Sequence, residues 1–195
     1  MDQGRQDTDI VALVERAGTA NRAILAGIRP DQWDAPTPCP EWDVRGLTRH
    51  LRHGVGVYLK AMGDPDAMAT DPTREPADSA LAAEIAALDA RFLASLRRPG
   101  ALDGPVAMPF GTLDGRTVAT YRLVEQLVHG WDLATATGQP TDFAPELHEA
   151  ALAMSRGLLD GVDRAQIGGM FASEQAAPAG CSAADRLAAY LGRAV

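Results

Sequence analysis

Lysine is nearly missing from this 195-residue sequence: Lys60 is the only one among 18 lysines and arginines. No basic block exists, and 26 acidic residues bring the formal net charge to −8. No nucleic-acid partner is expected, because affinity for a phosphate backbone rests on clustered cations. Aromatic residues are few, at 5%, so packing must rely on aliphatic side chains. No run of about 18 apolar residues occurs, which excludes a transmembrane helix, and no membrane partner is expected. The opening stretch MDQGRQDTDI is polar and acidic, without the basic and apolar regions of a secretory signal. Cysteine is limited to Cys39 and Cys181, which form no CxxC metal clip, and an intracellular chain keeps such thiols reduced. Glycine patterns for nucleotide phosphates are absent too, so neither a nucleotide nor a nicotinamide cofactor is indicated. A cytoplasmic address is the expectation.

What is present suits a globular chain. Apolar residues make up 46% of the sequence, and this length supports one substantial core. We expect a single domain over 1–195, with a core of about 8–160 and a C-terminal extension of about 161–195. Abundant Ala, Gly, Asp and Pro, with arginine in place of lysine, suggest a GC-rich coding genome.

The periodicity predicts mostly helix. Ile10, Leu13, Val14, Ala17, Ile24 and Leu25 repeat at helical spacing from about Asp9 to Gly27. Four prolines in IRPDQWDAPTPCPEW then force a non-helical connection. Asp43 suits the N-cap of a second helix reaching Met62, with Val44, Leu47, Leu51, Val55 and Tyr58 on its apolar face. After a loop in GDPDAMATDPTREPADS, Asp78 or Ser79 can cap a third helix ending near Arg98. The Gly- and Pro-punctuated stretch RPGALDGPVAMPFGTLDGRTV reads as a long loop or a weak hairpin. Thr117 can cap a fourth helix that stops at Gly138. Pro145 opens a fifth helix to Leu159, and a short last one spans about Ala183–Leu191. The longer helices suit an all-α four-helix bundle with an irregular or hairpin insertion before the fourth helix.

The fourth helix carries the chemistry. With Glu125 at zero on the wheel, His129 falls at about +40°, Asp132 at about −20° and Tyr121 at about −40°. Leu123, Val124, Leu127, Val128 and Trp131 lie elsewhere around it, leaving one narrow polar stripe on a greasy helix. If the stripe is buried, its charges need partners. If it faces water, Glu125 and His129 are an i,i+4 pair worth a few tenths of a kcal/mol. The same pair can instead hold a metal, provided a third ligand comes from elsewhere. His50, His53 and His148 are the remaining histidines. His50 adjoins the apolar face of the second helix, His53 lies on an Arg-flanked side, and His148 has acidic neighbours. Spacing favours His50 without deciding the matter.

TPCPEWDVRGLTRHL followed by YRLVEQLVHGWDLATATGQP resembles the actinobacterial family of metal-binding proteins related to mycothiol-dependent maleylpyruvate isomerase. That family belongs to the DinB-like helical bundles. The likeness spans nearly the whole chain, including the tail SAADRLAAYLGR, and its motifs are more specific for the family than for any activity. It implies a metal held by His50, Glu125 and His129. Two imidazoles and a carboxylate suit Zn²⁺, with Ni²⁺ or Fe²⁺ allowed by ligand type. Three protein ligands leave a position open for water or substrate. The resemblance further implies a low-molecular-weight thiol, mycothiol in an actinobacterium, as cosubstrate. A metal would stabilise its thiolate for attack on a small electrophile.

The expected activity is therefore a divalent-metal-dependent, thiol-using transferase or isomerase, from a monomer or homodimer. A metal-dependent hydrolase and a non-catalytic metal- or ligand-binding bundle are the alternatives. Asp132 can hydrogen-bond a liganding imidazole, and Tyr121 can reach the open position, though a core role suits it better. Trp42 and Trp131 read as packing residues able to wall a cavity. Arg45, Arg49 and Arg52 read as a solvated face, and Cys39, between two prolines, as a packing residue. The loop MPFGTLDGRT can cover a metal and select substrate, although turn geometry explains Gly111 and Gly115 equally well.

Overall fold

The computed structural model describes residues 3–67, 76–164 and 171–195, with side chains described from residue 10 onward. Six α-helices, one 3-10 turn (Pro30–Gln32, within the connection expected to be non-helical) and one hairpin occur among them: α1 Gln3–Ala26, α2 Val44–Ala61, α3 Asp78–Leu96, β1 Pro105–Met108, β2 Gly111–Asp114, α4 Gly115–Thr137, α5 Pro145–Leu159 and α6 Ala183–Tyr190. The chain is mainly all-α, as its periodicity predicts. α1 starts upstream of Asp9, and the loop foreseen over 63–79 is described only at its ends, since 68–75 lie outside the described residues. Within the expected extension, 165–170 lie outside them too.

The helix ends show which local signals act. The Asp43 carboxylate accepts from the Gly46 N–H at 2.7 Å and starts α2, satisfying one of the donors a helix leaves unpaired. α4 corrects the cap expected at Thr117. Asp114 is the cap, and its carboxylate accepts from the Thr117 N–H at 2.7 Å. A helix N-cap sits three residues before the N–H it satisfies, so Thr117 receives the cap rather than making it. α3 likewise begins after Ala77, which makes no side-chain cap. Gly138 ends α4 at φ +68°, the left-handed geometry that favours glycine. The expected weak hairpin is a short antiparallel one, with Val106 opposite Leu113.

α1 packs on α3 and α4, and α2 packs on the same two, so four helices close a ring. α5 and α6 pack on each other and on α4, while the hairpin lies against α2 and α4. Along α2, Leu47, Leu51, Val55 and Leu59 are fully buried, each side chain contributing about 1.5–3 kcal/mol.

The apolar core has two large clusters, and Trp131 forms a small third one with Ala184 and Ala188 of α6. One large cluster holds Val14, Ala17, Val55, Leu59, Phe92 and Leu127; the other holds Ile24, Leu47, Leu51, Ile85 and Leu133. A buried polar residue marks the change along three helices: Asn21 on α1, Asp89 on α3 and His129 on α4. The polar stripe of α4 is thus one part of a polar belt that crosses the bundle.

Candidate functional site

α2 and α4 bring His50, Glu125 and His129 together where this belt reaches the surface. His50 Nε2 lies 3.5 Å from Glu125 Oε1. The His50 and His129 rings stand edge to face, with centroids 5.1 Å apart. Side-chain exposure is 31% at His50 against 12% at Glu125 and 10% at His129, so the opening is on the His50 side. Burial pushes the His50 imidazole down to about 4, against the charge of Glu125, which favours the protonated ring. His50 is therefore neutral at pH 7, the form that ligates a metal. Among the described residues, no group of three or more His, Cys, Asp or Glu stands as a ready-made metal cage.

Each side chain is held by its own partners. Glu125 Oε2 accepts from Arg122 Nη1 at 3.0 Å, and Arg122 also donates to Asp89 Oδ1 through Nη2 at 2.7 Å and Nε at 3.1 Å. Gln126 Nε2 donates to the other Asp89 oxygen at 3.2 Å. Arg122 has no exposed surface; burial disfavours its charge, but Asp89 and Glu125 hold it firmly protonated. Tyr58 stands beside Glu125, and burial, with that carboxylate, raises its hydroxyl well above the ordinary range. Gly54, one turn beyond His50, makes room: a Cβ there would lie 2.5 Å from Glu125 Oε1.

His129 Nδ1 lies 3.0 Å from Asp132 Oδ2, and Arg193 donates to the same carboxylate. Burial alone would raise the Asp132 carboxyl, but the hydrogen bond from His129 and the charge of Arg193 hold it below the usual carboxylate range. Trp42, just before the α2 cap, stacks on His50 with centroids 4.2 Å apart and meets His129 edge-on at 6.2 Å. It is a wall of the site as well as a packing residue.

Other residues singled out from the sequence lie apart from this cluster. Tyr121 packs its ring against Phe110 of the hairpin and Phe171, at 5.9 and 6.3 Å between centroids; Tyr58 is the tyrosine on Glu125. Trp131 is buried and donates its indole N–H to Asp185 at 2.9 Å. His53 is exposed and His148 is buried in α5. The face expected to be solvated is instead half-buried: Arg45 pairs with Asp78 at 3.0 Å and Arg52 with Glu84, tying α2 to α3. Burial raises the Cys39 thiol despite the pull of Arg193, so it is no activated nucleophile.

Arg122, Tyr58, Gly54, Asp89 and Arg193 were not singled out from the sequence. Arg122 had a signal, since it lies three residues before Glu125 on a helix apolar enough to be buried. Asp89 and Arg193 had none, because their partners are 33 and 61 residues away.

Fold and site together define a helical bundle in which two imidazoles and a carboxylate converge between two neighbouring helices. The chain belongs to the mycothiol maleylpyruvate isomerase N-terminal domain family, whose model matches residues 14–134. Uncharacterized proteins of Mycobacterium tuberculosis strains CDC 1551 and H37Rv are each 36% identical over 181 residues, covering 93% of this chain and 96% of the relative. Another uncharacterized protein of strain H37Rv is 31% identical over 132 residues, covering 60% of this chain and 51% of that protein. No solved structure matches the chain. Among the described residues, no helix is long and apolar enough to cross a membrane.

Proposed function

We propose that the chain binds a divalent cation, Zn²⁺ with Ni²⁺ or Fe²⁺ as alternatives, on His50, Glu125 and His129. In this reading it acts as a thiol-dependent transferase or isomerase on small electrophiles. The observation that carries the metal assignment is the approach of His50 Nε2 to Glu125 Oε1 at 3.5 Å, with the His129 ring 5.1 Å from that of His50. Two imidazoles on one tetrahedral Zn²⁺, each bound at about 2.0–2.1 Å, would have ring centres about 5 Å apart. The room at Gly54 suits a carboxylate that must reach α2. The family's name is what supports mycothiol as the thiol.

A bound cation would supply the charge that keeps a thiol as its nucleophilic thiolate at neutral pH. The chain's own groups do the rest. Arg122 holds one oxygen of Glu125 and leaves the other toward His50. Asp132 occupies Nδ1 of His129 and leaves Nε2 to bind. Trp42 covers one face of His50 and keeps water from it.

Metal analysis of the purified chain should give about one cation per chain. His50→Ala, Glu125→Ala and His129→Ala should each lower that content sharply. Mycothiol should be consumed with members of an electrophile panel by the metal-loaded chain, and not by the Glu125→Ala variant. Normal metal content in all three variants would sink the site. Turnover of esters or amides without thiol would replace the transferase by a hydrolase. A loaded chain inert to both panels would leave a binding role.

A further inference from the structure

Arg193 lies outside residues 14–134, the stretch the family model matches, yet its side chain reaches the site. Its guanidinium is 11% exposed and meets the fully buried Asp132 carboxylate twice, Nη2 on Oδ2 at 3.0 Å and Nε on Oδ1 at 3.3 Å. The backbone is shaped to deliver it. α6 starts with a reciprocal cap between Ser182 and Asp185, and Asp185 also accepts from the indole of Trp131, so the helix is pinned to α4 beside His129. Gly192 then takes φ +97°, a geometry side chains rarely adopt, and turns the chain so that Arg193 points back to α4. The Arg193 N–H bonds the Ala188 carbonyl at 2.9 Å and fixes that turn.

Asp132 Oδ2 receives both Arg193 and His129 Nδ1, each at 3.0 Å. A guanidinium only donates and a carboxylate paired to it only accepts. His129 Nδ1 must therefore carry a hydrogen, and in the neutral ring the lone pair is then on Nε2. A carboxylate without Arg193 could turn about its Cβ–Cγ bond and release the ring.

We propose that Arg193 is a positioning residue that, through Asp132, fixes the tautomer and orientation of His129. Its purpose, presenting Nε2 to a cation, rests on the proposed function; its geometry does not. A residue that merely neutralised a buried carboxylate would leave the His129 tautomer unchanged on removal.

Long-range ¹H–¹⁵N NMR on the metal-free full chain reads the tautomer directly. The unsubstituted chain should show His129 as one species with the hydrogen on Nδ1, Arg193→Met should show a mixture, and Arg193→Lys should fall between. In a Co²⁺ titration, Arg193→Met should bind about 10- to 100-fold more weakly, the range seen when groups holding a metal-bound histidine are removed. Circular dichroism checks the fold. If Arg193→Met does not fold, Arg193→Lys carries the test, since an ammonium cannot reproduce the two-point contact. An unchanged tautomer and unchanged Co²⁺ affinity in the folded variant overturn the assignment. Failure of the unsubstituted chain to bind Co²⁺ would refute the metal reading instead, and the NMR result would still decide what Arg193 does to His129.

Discussion

His148 has no exposed surface, and its ring lies edge-on to Phe143 at 4.9 Å between centroids. Its Nδ1 lies 3.2 Å from the Ala144 carbonyl oxygen, which suits an N–H donor there. Burial holds this imidazole below its ordinary value, outweighing nearby backbone carbonyls that favour the charged ring. In the unfolded chain it takes a proton near pH 6.5. Below that pH the unfolded state binds more protons than the folded one, so stability is full above about pH 6.5 and falls as the pH drops. Urea midpoints at about pH 7.5 and 5.5 should therefore differ more for the unsubstituted chain than for His148→Gln; equal differences would refute the buried neutral histidine. The sequence placed His148 on the fifth helix among acidic neighbours such as Glu146 and Glu149, which does not say which way its ring faces. Those carboxylates turn outward to Arg16 and Arg186. Glu125 and His129 were legible for a simpler reason: their spacing alone puts them on one helical turn.

α4 is the element around which the others are arranged, and it buries Arg122, Gln126, His129 and Asp132 among its aliphatic residues. The helical wheel shows a narrow stripe because it scores each residue by type. It misses that Arg122 and Gln126 are drawn inward by Asp89 on α3. Caps were more legible than partners: Asp43 and Gly138 act as expected, whereas Thr117 proved to be the receiver of Asp114. The coupling between α3 and α4 has a measurable weight. Asp89→Ala strands a buried guanidinium and should cost about 3–5 kcal/mol in urea denaturation. Adding Arg122→Met to it should recover much of the loss, because an apolar side chain of similar length needs no counter-charge. A single-variant cost under about 1 kcal/mol would mean that Glu125 alone sustains Arg122.

At the scale of the whole molecule, the bundle was legible from periodicity and loop chemistry, but the polar belt through it was not. The belt links α3 to α4 through Asp89, Arg122 and Gln126, has Asn21 of α1 beside it with no hydrogen-bond partner for its side chain among the described residues, and meets α2 at His50; such joins depend on which helices are neighbours, which one sequence does not state. His50 on α2 and the pair on α4 belong to different helices, so a cation held by all three would clamp two sides of the ring. Binding to the folded state alone stabilises by about 2.7 kcal/mol at a hundredfold excess over Kd. The melting temperature should therefore climb with added Zn²⁺ and stay flat for Glu125→Ala; identical melting with Zn²⁺ and with a chelator would count against the clamp. Trp42 gives the same site an optical handle. Of the three tryptophans, Trp131 is fixed by Asp185 and Trp33 packs beside the second core cluster, while Trp42 alone lies face to face with a candidate ligand. Indole emission responds to the charge and electronic state of a stacked ring, so whatever reaches His50 becomes visible as a change in light from the unlabelled chain.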